Sequence, residues 1–253
     1  MTKKVTEGIA LYPPGFEDPP FGITVLWGYR KVGKTIAALN SPWGPRHIID
    51  VEYSSEDYEK QLPKMMEMGI INGEFTRANC LDYNDTRNEF KRIWDSDQIY
   101  GTIILDTVGQ ITEWKKKEVF NKTPEWKVQK MSQVIWGEIR DSLRETVFEL
   151  KRKCKYLILT AHEREYNGVY SPRSNPAMLE VASVSVRLVK KPNQQIPDGI
   201  VDVARLPMFP PRIPEFSIAK LLDYMDKPAD WNKLDENETI KEPLYVEAPP
   251  VED

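Results

Sequence analysis

The sequence has few of the soft ligands on which metal centres are built: two cysteines, Cys80 and Cys154, and two histidines, His47 and His162, in 253 residues. Neither cysteine has a C-x-x-C partner, which argues against a structural zinc site. Cysteines this sparse point to a reducing, cytoplasmic compartment. No run of 18 apolar residues occurs, so no membrane span is expected. Met1–Gly8 has no apolar run behind it and does not read as a secretory signal. A basic excess is missing as well. The net charge is −4, and its acidity is concentrated at one end: residues 226–253 carry nine acidic and three basic side chains, which leaves residues 1–225 at +2. No global basic field announces nucleic acid.

Against that background one stretch stands out. Residues 23–27, Ile-Thr-Val-Leu-Trp, read as a buried strand. Residues 28–35, Gly-Tyr-Arg-Lys-Val-Gly-Lys-Thr, fit the phosphate-loop pattern G-x-x-x-x-G-K-T, and Ile36-Ala-Ala-Leu39 opens a helix. Gly28 and Gly33 let the backbone bend and turn its N–H groups toward phosphate oxygens, and Tyr29, Arg30, Lys31 and Val32 complete the loop. The helix beginning near Ile36 points its positive end at the same anion. Lys34 has the reach for β- and γ-phosphates, and the Thr35 hydroxyl suits Mg²⁺.

Two further strands end in acids. Arg46-His-Ile-Ile-Asp50-Val-Glu52 delivers two carboxylates, and at such a strand end Glu52 can hold the water that attacks the γ-phosphate. Tyr100-Gly-Thr-Ile-Ile-Leu-Asp106-Thr107 is a Walker B pattern, with Asp106 in the Mg²⁺ shell directly or through Thr35. A further buried strand, Tyr156–Ala161, ends at His162, which is placed to sense the γ-phosphate and signal to the segment after it. At 253 residues the chain suits a single large α/β domain, a mostly parallel sheet with helices on both faces.

The remaining segments divide the chain. Pro13, Pro14, Pro19 and Pro20 mark residues 1–20 as an extended amino-terminal arm; residues 21–225 form the core; residues 226–253 read as an acidic, disordered tail. Residues 54–75 are polar and helical in pattern, with a Met cluster that reads as core filling. Asn84–Trp94 reads as a helix capped by Asp85. Thr112–Trp126 carries Lys115, Lys116 and Lys117 between tryptophans and is broken by Pro124. It reads as a loop, either gripping phosphates and stacking bases or simply lying solvated on the surface. Val128–Leu150 has helical spacing. Residues 163–177, with Arg164 and Arg173, follow no regular pattern, and a loop of that length is uncommon without function. Val181–Val189 and Asp198–Arg205 are β-prone, and Phe216–Tyr224 is a short closing helix.

The order of these signals resembles the RecA-type recombinase core over roughly residues 20–192. Ile48–Glu52 resembles the strand that ends in the family's catalytic glutamate, and Leu105-Asp106-Thr-Val resembles its Walker B strand. Lys130-Met-Ser-Gln133 resembles a run in a family helix, and Leu157–His162 resembles the strand that leads into the second DNA-binding loop. The length is most similar to the compact RecA-like ATPases of bacteriophages that act in single-strand annealing or recombination. The resemblance implies a RecA-like P-loop ATPase using ATP and Mg²⁺, with Glu52, Lys34 and His162 catalytic. It implies single-stranded DNA bound through residues 112–127 and 163–177, with a homo-oligomer, filament or ring, in which Lys190 and Lys191 contact ATP across a subunit boundary. It also implies residence in the host cytoplasm. A second reading is an ATP-driven loader or assembly switch that acts on a protein partner without touching DNA, with the acidic tail as a candidate partner contact.

Overall fold

The computed structural model describes residues 22–53, 55–123, 133–174, 179–204 and 211–226. The arm at 1–20, the Pro124–Trp126 part of the tryptophan loop, residues 128–132 of the long helix and the tail beyond Asp226 lie outside these residues.

In chain order the elements are β1 (Ile23–Gly28), α1 (Lys34–Leu39), β2 (Arg46–Asp50), α2 (Glu56–Lys60), α3 (Leu62–Glu67), β3 (Phe75–Asn79), α4 (Tyr83–Asp95) and β4 (Tyr100–Asp106). Then follow α5 (Val108–Lys122), α6 (Gln133–Arg152), β5 (Cys154–Tyr166), β6 (Val169–Pro172), β7 (Val184–Val189), β8 (Asp198–Ala204), β9 (Arg212–Ile213) and α7 (Ile218–Asp226). They build the expected α/β architecture. The sheet order is β3-β2-β4-β5-β1-β7-β8-β9. It is parallel from β3 through β7, with β8, β9 and the β6 hairpin arm antiparallel.

The central strands are buried along their whole length on both faces, which is why they read as continuous apolar runs rather than as alternation. One face packs Ile49, Ile103, Leu105 and Leu157 against Ile93 of α4, Ile111 of α5 and Ile139, Leu143 and Val147 of α6. The other packs Leu26, Ile48, Ile104 and Ile158 against α1, α7 and the α3 region. Each fully buried aliphatic side chain contributes about 1.5–3 kcal/mol. His47 of β2 lies in the first face, only 3% exposed, and pairs with Glu89 of α4 at 2.8 Å. Among the described residues no helix is long and apolar enough to cross a membrane.

Several local expectations are corrected. Thr112–Lys122 is not a loop but the body of α5. Pairs at helical spacing, Lys116 with Glu113, and Lys115 and Lys122 with Glu118, tie successive turns together. Residues 163–172 are not irregular but form a hairpin, β5 with β6, turning at Asn167 and Gly168, both with positive φ. The cap of α4 is Asp82, which accepts from the Asp85 N–H at 2.9 Å, while Asp85 accepts in return from the Leu81 N–H. Of the Met cluster, Met65 packs against the core as expected, whereas Met66 and Met68 are exposed.

Candidate active site

The strand order sets the site. β5 lies between β1 and β4, and the registers pair Gly28 with His162, Leu105 with Leu159 and Asp50 with Asp106. β1, β2 and β4 therefore end level with the 159–162 stretch of β5, which does not stop at His162 as expected but runs on to Tyr166 as the hairpin arm; ligands of open α/β sheets bind at such strand ends. The phosphate loop leaves β1 there. Gly28 has φ 153°, and a Cβ on it would sit 2.5 Å from the Leu188 carbonyl oxygen, so glycine is required by conformation and by space. Gly33 has φ 109° and lies beneath Pro197. The β7–β8 connection thus flanks the loop. Tyr29, Arg30 and Lys31 are exposed, Val32 is fully buried, and Ile36 is half-buried on α1.

Lys34 is buried at 5% exposure. Its Nζ donates to the carbonyls of Gly28 at 3.1 Å and Tyr29 at 2.9 Å, and lies 3.3 Å from His162 Nδ1. Burial lowers its pKa, opposed by the charges of Asp106, Glu52 and Glu163. An ammonium is only a donor, so His162 Nδ1 accepts and Nε2 carries the proton. Nε2 then donates to Glu52, at 2.7 Å from Oε2 and 2.9 Å from Oε1. Thr107 Oγ1 donates to Glu52 Oε1 at 3.2 Å. One hydrogen-bonded chain therefore runs from Lys34 through His162 to Glu52. Burial alone pushes the Glu52 carboxyl up; the bonds from His162 and Thr107, with the charge of Arg30, outweigh it and hold the group below the usual carboxylate range.

On the other side of the loop, Thr35 Oγ1 donates to Asp106 Oδ2 at 2.7 Å, and Thr160 of β5 donates to Oδ1. Asp106 is 2% exposed. Among the described residues no three His, Cys, Asp or Glu side chains converge, the donor set of a metal held by protein alone. One hydroxyl with one carboxylate suits Mg²⁺, which keeps its waters and takes phosphate oxygens.

Asp50, which ends β2, and Glu52, in the turn after it, divide their roles. Asp50 is fully buried and accepts from the N–H groups of Glu52 at 3.0 Å and Ser55 at 2.7 Å, and from the Ser55 hydroxyl at 2.6 Å. It shapes the turn on which Glu52 stands. Thr160, Thr107 and Asp50 are site residues that spacing alone does not reveal.

The expected DNA-binding residues are partly brought together. Lys116 of α5 and Arg164 and Arg173 of the hairpin region line one cavity of about 290 Å³, together with Glu113 and Glu163. Lys115 and Lys117 do not line it. Lys115 is held by Glu118 and lies 5.0 Å from the centre of the Tyr83 ring, and Lys117 is exposed. Arg187 of β7 ties the hairpin to the sheet: it donates to Glu163 at 2.8 Å and lies between the Trp27 and Tyr170 rings, 5.3 and 4.2 Å from their centres. A charge at an alternate position of an otherwise apolar strand is the signal for it. Lys190 and Lys191 begin the turn beside the phosphate loop, where the Lys190 carbonyl accepts from the Tyr29 hydroxyl at 3.4 Å.

No protein-family model matches the chain, and no curated protein does. Solved structures are similar in backbone course. A RadB recombinase aligns at 16% identity and TM-score 0.49, covering 75% of this chain and 83% of its own. A KaiC-like protein from the hyperthermophilic archaeon Pyrococcus horikoshii OT3 aligns at 14% identity and TM-score 0.45, covering 80% and 90%. Both likenesses concern the course of the backbone; the site rests on its own geometry.

Proposed function

We propose that this chain is a Mg²⁺-dependent ATPase of the RecA-like division, whose turnover is coupled to single-stranded DNA in bacteriophage-type recombination or annealing. The observation that carries the reading is the meeting of Lys34, Thr35, Glu52, Asp106 and His162 at one end of the sheet. Lys34 and the N–H groups of residues 28–35 hold phosphate oxygens, and Thr35 and Asp106 hold Mg²⁺. The metal, when bound, neutralises charge on the transferring phosphoryl group. Glu52, kept ionised, is a weak proton acceptor but a good hydrogen-bond acceptor, so its part is to orient the attacking water.

His162 is the link to the nucleotide. All three Lys34 donors face protein acceptors, so a phosphate must displace at least one. Releasing His162 Nδ1 changes the group that holds Glu52, and β5 carries the change directly into the hairpin that bears Arg164. Lys116, Arg164 and Arg173 are the proposed phosphodiester contacts, and Lys190 and Lys191 the contacts to a neighbouring subunit of a filament or ring.

One observation favours a second reading, an ATP-driven loader or assembly switch acting on a protein partner. Lys115 and Lys116 are engaged with Glu118 and Glu113, and the body is near neutral. ATP turnover with and without single-stranded DNA, between roughly 50 and 200 mM salt, separates the two. Stimulation that falls steeply with salt supports DNA coupling, because phosphate contacts release counterions. Turnover indifferent to DNA supports the protein partner.

A further inference from the structure

The cavity between α5 and the hairpin has its charges unevenly matched. Lys116, Arg164 and Arg173 line it together with two acids, Glu113 and Glu163. Glu113 is taken by Lys116 at 2.8 Å. Glu163 is taken from outside the lining: Arg187 donates to it at 2.8 Å, the two side chains being 14% and 19% exposed. Arg164 and Arg173 are exposed, and among the described residues neither forms an ion pair; Arg164 is steadied by its Nε donating to Ser171 Oγ at 3.0 Å. With both acids matched, two guanidinium groups are in excess. Ser174 lines the same cavity, and its Oγ is buried with no hydrogen-bond partner. Such a hydroxyl calls for a partner, and a ligand oxygen would supply one. The wall is tight: a Cβ on Gly109 of α5 would sit 2.5 Å from the Arg173 carbonyl oxygen.

Arg187 is placed by the strand order. It pairs with Trp27 across β7 and β1, and its guanidinium passes the Trp27 ring to reach Glu163 of β5, with the Tyr170 ring on its other side. The Trp27 ring is itself fixed, its Nε1 donating to Ser185 Oγ at 3.1 Å. Successive residues of β5 face opposite sides, so His162 turns to the phosphate loop and Glu163 to the cavity. Released from Arg187, Glu163 would be an unmatched acid in one wall with Arg164 and Arg173, and its charge would cancel one of theirs. We propose that Arg187 is the positioning residue of a phosphate site in this cavity: by engaging Glu163 it leaves Arg164 and Arg173 to grip one phosphate group, to which Ser174 adds its hydroxyl. The site rests on the reading of single-stranded DNA as the ligand, and a free phosphate ion shares its chemistry. Arg187 acts through Glu163 and does not touch the ligand.

The test is the fluorescence anisotropy of a labelled single-stranded oligonucleotide with the full chain at saturating ADP, between roughly 50 and 200 mM salt. Arg187→Met keeps an apolar stem between the two rings and removes the charge. It weakens binding by about 10-fold and lowers the salt slope by about one phosphate contact. Adding Glu163→Gln to Arg187→Met removes the released acid and restores both readings to within about twofold of the parent, a rescue that a merely structural role of Arg187 would not give. A double variant as weak as Arg187→Met, or an Arg187→Met equal to the parent, overturns the proposal. Should Arg187→Met not fold, Glu163→Gln alone decides: tighter binding supports the proposal, and equal or weaker binding overturns it. A parent chain that binds no single-stranded DNA overturns the nucleic-acid reading, and inorganic phosphate is then titrated calorimetrically at saturating ADP. Phosphate binding with the same loss and rescue upholds the site for the free ion; no phosphate binding overturns it.

Discussion

Lys34 Nζ and His162 Nδ1 lie 3.3 Å apart, so the first residue of α1 shares a hydrogen bond with the β5 histidine that pairs with Gly28 of β1. Because His162 turns its other nitrogen to Glu52, Lys34 and Glu52 are two hydrogen bonds apart.

His162→Ala breaks that chain and removes the bond that most favours ionised Glu52. Burial then pushes the Glu52 carboxyl up. Turnover that depends on the carboxylate therefore loses its acid limb at higher pH than in the parent. A pH–rate profile measured at saturating ATP checks this, and an acid limb that does not move contradicts the chain.

Lys34→Ala removes the only cation of the phosphate loop that is buried among the site groups. The loss of nucleotide binding or turnover is expected to be at least about 100-fold, the scale of losing one strong charge-stabilising contact. Isothermal titration with an ATP analogue and a turnover assay read the two effects separately.

Away from the site, Glu89 sets an acid limit on stability. Burial alone raises its pKa, but the bonds from Arg92 and His47 bring it from 4.5 down to about 2. The ionised group therefore stabilises the fold above about pH 4.5, and this is lost as pH falls toward 2. The contribution is at most about 3 kcal/mol. Glu89→Gln lowers Tm at neutral pH and flattens the decline of stability between pH 4.5 and 2. An unchanged decline in urea unfolding over that window contradicts the assignment.

What the sequence makes legible is local chemistry at fixed spacing. The 28–35 loop, the acid closing β4 and the glutamate after β2 each lie within a few residues of the strand that presents them, so pattern and position coincide. The Lys34–His162–Glu52 chain needs the registers of β1, β5 and β4 and the turn that Asp50 braces, and no spacing encodes these. Thr160 is hidden for the same reason, its hydroxyl reaching Asp106 only because β5 lies beside β4. Two features carry local signals that competing ones obscure. Asn167-Gly168 between Tyr166 and Val169 marks a hairpin, although the charged, aromatic and polar residues around it follow no regular pattern. Glu113, Lys116, Glu118 and Lys122 fall at helical spacing, although Pro124 and the lysine run suggest a loop.

The measurement that bears most directly on the site is ATP turnover by Glu52→Gln beside its nucleotide affinity. Glutamine keeps the shape of Glu52 and can still accept from His162, but it lacks the charge proposed to orient the attacking water. Affinity close to the parent's, with turnover lower by about 10²–10⁴, is the predicted result. Turnover equal to the parent's would contradict the role of Glu52, and with it the account of this strand end as a hydrolytic site.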